Sequence, residues 1–218
     1  MSSIEPSYAA CLQTAKSVAR DAGQVIASAF QQNLSVTGSK QLETKTNFAD
    51  LVTATDKAVE AKAFAALRSA YPDHAFIGEE SASAIGSDTV TLTDNCTWVL
   101  DPIDGTTNFV HGFPMVAISI ALFHHREPVV GVIYNPILDE MYAALKGGGA
   151  ELNGTALPLR PPVDAKPLTL ATSLVGTEFG SDRRPECLDK KTAGMARIGR
   201  LVRGVRCIGS CALALCLV

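Results

Sequence analysis

The chain has 218 residues, 47% of them hydrophobic and 19% charged, with a formal net charge of −3. That composition describes a soluble globular protein of one large domain or two modest ones. The near-balanced charge gives no basic surface for nucleic acid, and no apolar run reaches the ~20 residues needed to span a bilayer. The six cysteines, at positions 11, 96, 187, 207, 211 and 216, form no CxxC pair and read as reduced, buried thiols of a cytosolic protein. The spacing of Cys207, Cys211 and Cys216 fits no zinc pattern, and their apolar neighbours suit core positions.

In chain order, Glu5-Pro6 opens a long helix on which Tyr8, Leu12, Ala15, Val18, Ala22, Val25 and Ala29 recur at helical spacing. With Lys16, Arg20 and Asp21 interspersed, this is an amphipathic helix and not a secretory signal. The polar stretch "NLSVTGSKQLETKTN" reads as a loop or short hairpin. A second helix runs from near Asp56 to Ala70, with Val59, Ala63, Phe64, Leu67 and Ala70 on one face and Tyr71-Pro72-Asp73 as its stop. "AFIGEES" is a short strand that exits onto Glu79 and Glu80. The strands "MVAISIALF", "PVVGVIY" and "EMYAAL", separated by "HHRE" and "NPILD", have the rhythm of an antiparallel meander. "KGGGAELNG" carries a turn signal at Asn153-Gly154 and lacks the Lys-Ser/Thr of a phosphate loop. "LRPPVDAKP" connects two halves. Beyond it "LTLATSL" and "VRGVRCI" read as strands flanking a polar, weakly helical segment, and Gly209-Ser210 caps a helix "CALALCLV".

The chemistry concentrates in "WVLDPIDGTTNFVHGF", where an apolar strand runs into Asp101, Pro102 and Asp104 and then Gly105-Thr106-Thr107. Two carboxylates so close repel one another unless a positive charge sits between them. With Asp50 and Asp56 in "DLVTATD" and Glu79 in "GEES", they offer oxygen ligands at strand ends, the donors a hard cation such as Mg²⁺ takes. Each has an ordinary alternative reading: Asp56 as a helix N-cap, Glu79 as a solvated strand end, Asp104 as a turn residue. The absence of His or Cys at metal spacing argues against zinc. The Gly-Thr-Thr that follows can turn into a helix whose first N–H groups favour phosphate. Metal and phosphate side by side point to phosphoryl hydrolysis. Phosphatases with an aspartyl nucleophile also read strand-Asp-x-Asp-Gly-Thr, but their aspartates are two apart. Here they are three apart, which re-aims the second side chain and favours metal-activated water.

Together, "DLVTATD", "FIGEES", "WVLDPIDGTTNFVHGFP", "KGGGAELNG" and "VRCIGSCALALC" resemble the inositol monophosphatases, Mg²⁺-dependent, lithium-sensitive phosphatases in the fold group of fructose-1,6-bisphosphatase. The resemblance implies an α/β (layered α+β) sandwich of alternating helices and sheets, a cytoplasmic homodimer, and hydrolysis of inositol monophosphate to inositol and phosphate. It implies a first Mg²⁺ on Glu79, Asp101 and the Ile103 carbonyl, a second shared by Asp101 and Asp104, and a third, looser ion touching Glu79. Thr106, hydrogen-bonded to Asp56, would orient the attacking water, which makes Thr106, Asp56 and Glu79 the catalytic set, with Asp50 as outer support. The turn Ile103-Asp104-Gly105-Thr106 would bind substrate, the backbone of Gly105 and Thr106 taking phosphate oxygens. Gly209, Ser210 and Cys211 would line the inositol ring.

The family pattern continues into a glycine-rich stretch and a "W-D-x-A-A-G"-like motif whose aspartate completes the second metal site. The only tryptophan here is Trp98 and the sequence stops at Val218. The expectation is therefore a C-terminally truncated chain, with an N-terminal metal- and phosphate-binding part over 1–157 and the start of a second part over 158–218, a weakened second metal site and little activity. Two further readings stand beside it: a related sugar-phosphate or nucleotide phosphatase, and a catalytically silent subunit pairing with a full-length homologue.

Overall fold

The structure, a computed structural model, describes residues 7–35, 43–44, 51–85, 91–158 and 169–217. Helix α1 (Tyr8–Ser35) buries Cys11, Ala15, Val18, Ala19, Ala22, Ile26 and Phe30, with Tyr8, Leu12, Val25 and Ala29 half-buried beside them. The apolar stripe is thus broader than the expected one, because α1 lies across several strands and not along a single seam. Glu5-Pro6 and most of the polar stretch after α1 lie outside the described residues. What is described there is a minimal antiparallel pair, β1 (Glu43–Thr44) with β2 (Leu51–Val52). Helix α2 (Ala54–Ala70) buries Val59, Ala63, Phe64 and Leu67 as the periodicity required, while Ala70 is exposed.

A seven-stranded mixed sheet follows in the order β3 (Ala75–Gly78), β4 (Thr97–Asp104), β5 (Ala117–His124), β6 (Glu127–Asn135), β7 (Glu140–Leu145), β8 (Gly149–Leu152) and β9 (Thr155–Ala156). Only β3 and β4 are parallel, joined through helix α3 (Glu79–Ile85); the rest is the expected meander. Asn153 and Gly154 have φ of 49° and 84°, the paired positive values of a tight hairpin turn. Alternation sorts the strands cleanly. Ile118, Ile120, Leu122, Val130 and Val132 are buried in the cluster with α1 and α2, while Ala117, Ile133 and Tyr142 on the opposite face meet Leu213 of helix α6 (Cys211–Cys216). The result is an α/β architecture in layers: two helices, a sheet, and a helix beyond it.

The segment after the sheet departs from expectation in three places. "LTLATSL" is a strand only at its end. Thr169 and Thr172 cap one another's backbone and lock a 3₁₀ turn at Leu170–Thr172, leaving β10 as Leu174–Gly176. The segment read as weakly helical is a 15-residue helix, α5 (Pro185–Gly199), with proline at its start, and it links β10 to the parallel strand β11 (Gly204–Arg206). Thirdly, Cys207 and Cys211 are exposed, whereas Cys11 and Cys96 are buried as expected.

Truncating the two sheet faces should have unequal effects. Ile120→Ala, at a site 1% exposed, is expected to destabilise by about 2–5 kcal/mol in urea unfolding, whereas Ile133→Ala on the half-buried face should cost clearly less. Equal costs would contradict this assignment of the core face.

Candidate active site

Strand β4 does not end regularly. Asp101 pairs with Ser119 and Asp104 with Ala117, so three steps along β4 oppose two along β5. In a regular strand residues three apart project to opposite faces, and the bulge cancels that inversion. Asp101 and Asp104 are both half-buried, while Ile103 between them goes into the core. The bend is held by Asp101 itself, whose Oδ1 accepts the Ile103 N–H at 3.1 Å.

The parallel pairing of β3 with β4 supplies the third carboxylate. Gly78 lies opposite Leu100, so the next residue on each strand is Glu79 and Asp101 respectively. Glu79 begins α3 and shares a hydrogen bond with Asp101. Burial first, then the Glu79 charge and that hydrogen bond, then the Asp104 charge, push the Asp101 carboxyl past neutrality. Glu60, which the sequence reading passed over, fixes this approach from α2. It is 7% exposed and accepts the Glu80 N–H at 2.8 Å and the Ser81 N–H at 3.0 Å, closing off the first turn of α3. A Cβ at Gly78 would collide with the Glu60 carboxylate, so only glycine admits this approach. The sequence signal was there: Asp56 and Glu60 are four apart and share one flank of α2.

Asp56 is not the N-cap of α2. Thr53 is, and Asp56 at the third position completes a capping box, accepting the Thr53 N–H at 2.9 Å and the Thr53 hydroxyl. Its other oxygen faces Thr106, whose Oγ1 lies 3.4 Å from Asp56 Oδ1 and 3.0 Å from the Ile103 carbonyl. Asp56 is 1% exposed, and desolvation lifts its carboxyl to about 6. Gly105, at φ 89°, starts helix α4 (Thr106–His111) with no side chain capping the first turn.

Asp104 faces the other half of the chain. It accepts the Ser210 hydroxyl, the Ala212 N–H at 2.8 Å and the Cys211 N–H at 3.3 Å, which seats the first turn of α6 on the bulge. Burial raises its carboxyl, with those donors pulling the other way. Gly209 and Cys211 line a cleft of about 410 Å³ with Asp104, and Ser210 is buried beneath it as the N-cap of α6. A larger groove of about 1120 Å³ lies on the second sheet face, lined by apolar residues such as Ile133, Leu152 and Leu215. It holds none of the carboxylates and is not the chemical site. Asp50 lies outside the described residues.

The structure therefore brings together Glu79 with Asp101, Thr106 with Asp56 and Ile103, and Asp104 with Ser210 and Cys211. Among the described residues no three His, Cys, Asp or Glu side chains converge into a closed metal cage, because Asp104 is drawn toward α6. The donor set nonetheless fits a hard divalent cation. Glu79 and Asp101 stand side by side at the strand end, and the charges that raise the Asp101 carboxyl are those of Glu79 and Asp104, which a cation with oxygen ligands would offset.

A layered α/β fold with oxygen donors at a bulged strand end, beside a hydroxyl and an uncapped helix start, is an arrangement suited to hydrolysis of a phosphate monoester. The chain belongs to the inositol monophosphatase family, whose sequence profile matches residues 8–218. It is 45% identical over 198 residues to inositol monophosphatase 2 of Solanum lycopersicum, covering 91% of this chain and 70% of that one. It is 41% identical over 221 residues to inositol monophosphatase 1 of Xenopus laevis, covering 99% and 73%. The solved structure of the extragenic suppressor protein suhB from Bartonella henselae superposes with a TM-score of 0.77 at 32% identity, covering 94% of this chain and 73% of that one. The family is metal-dependent. No helix among the described residues is long and apolar enough to cross a membrane.

The raised carboxyls carry a stability consequence. The folded state holds a proton on Asp101 that the unfolded chain has released, and the Asp104 carboxyl is raised in the same direction, so stability should fall as pH rises above the ordinary carboxyl range. Below about pH 6.5 the half-buried His74, whose value is lowered by burial, pulls the opposite way, so the clean window lies above neutrality. With chelator present, the thermal midpoint is expected to drop between pH 7 and 8.5. An added divalent cation should raise it more at pH 8.5 than at pH 7, since it binds the deprotonated carboxylates. A midpoint that rises with pH under chelation would contradict the electrostatics described for Asp101.

Proposed function

We propose that the chain hydrolyses inositol monophosphate to inositol and phosphate using Mg²⁺. The observation that carries this is the Glu79–Asp101 carboxylate pair at a bulged strand end with Asp104 as its charged neighbour, in a chain 41–45% identical to proteins named inositol monophosphatase. Mg²⁺, two to three ions on Glu79, Asp101, the Ile103 carbonyl and Asp104, would supply Lewis-acid polarisation of the phosphate and a water of lowered pKa. Everything else is the task of the chain's own residues. Thr106 donates its hydroxyl proton toward the Ile103 carbonyl or Asp56, which leaves its oxygen to accept a hydrogen from water and orient it. Asp56, lifted to about 6, sits within the range where a carboxylate accepts a proton near neutral pH. The uncapped first turn of α4 at Gly105 and Thr106 supports phosphate binding there, and Gly209 and Cys211 line the cleft assigned to the ring, with Ser210 buried between them.

Under the same reading the protein is a lithium-sensitive homodimer of the cytoplasm, in two parts over 1–157 and 158–218, with Asp50 supporting the metal ligands from outside. The six free cysteines suit a reducing compartment.

The direct test is phosphate release from inositol 1-phosphate across a Mg²⁺ titration. Asp101→Asn is expected to abolish Mg²⁺-dependent turnover, because it removes the charge that two ions would share; turnover within a few-fold of wild type would remove Asp101 from the metal site. Thr106→Val should lower kcat by roughly 100-fold with a small change in KM, since orientation of water is felt chiefly in the transition state. A raised KM with kcat intact would contradict the water-orienting role.

A further inference from the structure

The two ends of the site come from segments about a hundred residues apart, and one short loop joins them. Ile208 and Gly209 precede the N-cap Ser210, whose hydroxyl, with the N–H groups of Cys211 and Ala212, meets Asp104. Two side chains with no role so far grip that loop from opposite sides.

From α4, directly after Gly105-Thr106-Thr107, the Asn108 Nδ2 donates to the Met115 carbonyl at 2.8 Å and to the Ile208 carbonyl at 2.9 Å. Both amide hydrogens are thereby used, which fixes the orientation of the side chain and makes an aspartate there unworkable. From the loop after β10, Glu178 accepts the Ile208 N–H at 2.7 Å through Oε1 and the Gly209 N–H at 3.0 Å through Oε2. Gly209 itself is at φ 78°, and a Cβ there would lie 2.8 Å from Asn108 Oδ1, so both the conformation and the approach require glycine. The donor and acceptor of Ile208 are thus each held by a charged or amide side chain from a different part of the chain. One of these stands on the helix that begins at the phosphate turn.

We propose that Asn108 and Glu178 are positioning residues for substrate selection: their two-sided clamp on Ile208–Gly209 sets where Ser210, Cys211 and Ala212 stand against Asp104, and so sets the width of the ring cleft. This rests on the reading of the site as an inositol monophosphate hydrolase and adds to it what discriminates a cyclic polyol ester from any other phosphate ester. Under that reading Thr106 and Asp101 would serve the phosphate of any monoester, and the clamped loop, whose Ile208, Gly209 and Cys211 line the cleft with Asp104, would meet the alcohol portion. A displacement of about 1 Å in such a loop is enough to change rates on the order of a hundredfold.

The variants that test it are isosteric. Asn108→Asp sets a carboxylate against two carbonyl oxygens, and Glu178→Gln replaces one carboxylate oxygen by a donor that opposes the Gly209 N–H. In each, the ratio of kcat/KM for inositol 1-phosphate to that for the acyclic ester glycerol 2-phosphate should fall roughly tenfold, mainly through KM for the ring substrate. An equal loss on both esters, or no loss on either, would overturn the proposal. A second arm does not depend on turnover. Hydrogen exchange at the Ala212 and Leu213 amides, which bond to Asp104 and Ser210 and not to the clamp, should speed up in both variants while strands β5 and β6 keep their protection. Unchanged exchange at Ala212 and Leu213 would overturn the clamp even if the wild-type protein released no phosphate from inositol 1-phosphate, an outcome that would separately defeat the proposed function.

Discussion

Half-buried carboxylates brought close together repel one another, and the surroundings of Asp101, with Asp104 half-buried and Glu79 exposed beside it, are shaped by that repulsion. A regular β4 would send Asp101 and Asp104 to opposite faces and avoid the conflict. The bulge at Pro102-Ile103 creates it, and the parallel neighbour β3 adds Glu79. With Glu79 and Asp104 both raising the Asp101 carboxyl, the strand end favours an added positive charge. The fold tolerates the electrostatic cost because Trp98, Leu100 and Ile103 on the same strand are almost completely buried, which anchors the strand while its end is strained by charge.

The anchoring extends to the helices. Asp56 and Glu60 stand one turn apart on α2 and both accept backbone N–H groups, Asp56 at the start of its own helix and Glu60 at the start of α3. A buried carboxylate with such partners is held in one position, and the groups it touches are held with it. Asp56 thereby places the acceptor for Thr106, and Glu60 places the turn that presents Glu79. Secondary-structure capping and site geometry are here the same hydrogen bonds.

Much of this was legible in the sequence wherever the signal is local. Periodicity of two gave the meander, periodicity of 3.6 gave α1 and the buried face of α2, and Asn153-Gly154 and Ser210 announced a turn and a cap that the structure contains. The motif "DPIDGTT" marked the chemical end of β4. What stayed hidden depends on partners distant in the chain. Glu60 reads as an ordinary surface glutamate until α3 is placed over it. Asn108 and Glu178 read as loop polars until Ile208 arrives between them, 100 and 30 residues away respectively. "LTLATSL" fails as a strand for a local reason that β propensity overlooks: Thr169 and Thr172 satisfy backbone groups that a ladder would have used. Cys207 and Cys211 were placed in a core by their apolar neighbours, but they belong to the cleft side of a loop and the first turn of a short helix.

Asp104 shows why these two classes of feature have to cooperate. As the last residue of β4 it is fixed by sheet register, a property set by the first half of the chain. As the acceptor for Ser210, Cys211 and Ala212 it is also the seat of α6, which belongs to the second half. A carboxylate has about four lone-pair positions, and α6 occupies three of them, so what remains for a cation is one direction on Oδ1, aimed by donors outside the sheet. The loop that carries those donors is in turn held by Asn108, four residues beyond Asp104 on helix α4. The aim of the ligand and the shape of the cleft are therefore mechanically linked through a closed circuit of hydrogen bonds, Asp104 to α6, α6 through Gly209 to Ile208, and Ile208 through Asn108 back to α4. Asp104 cannot shift without moving the wall of the cleft beside it.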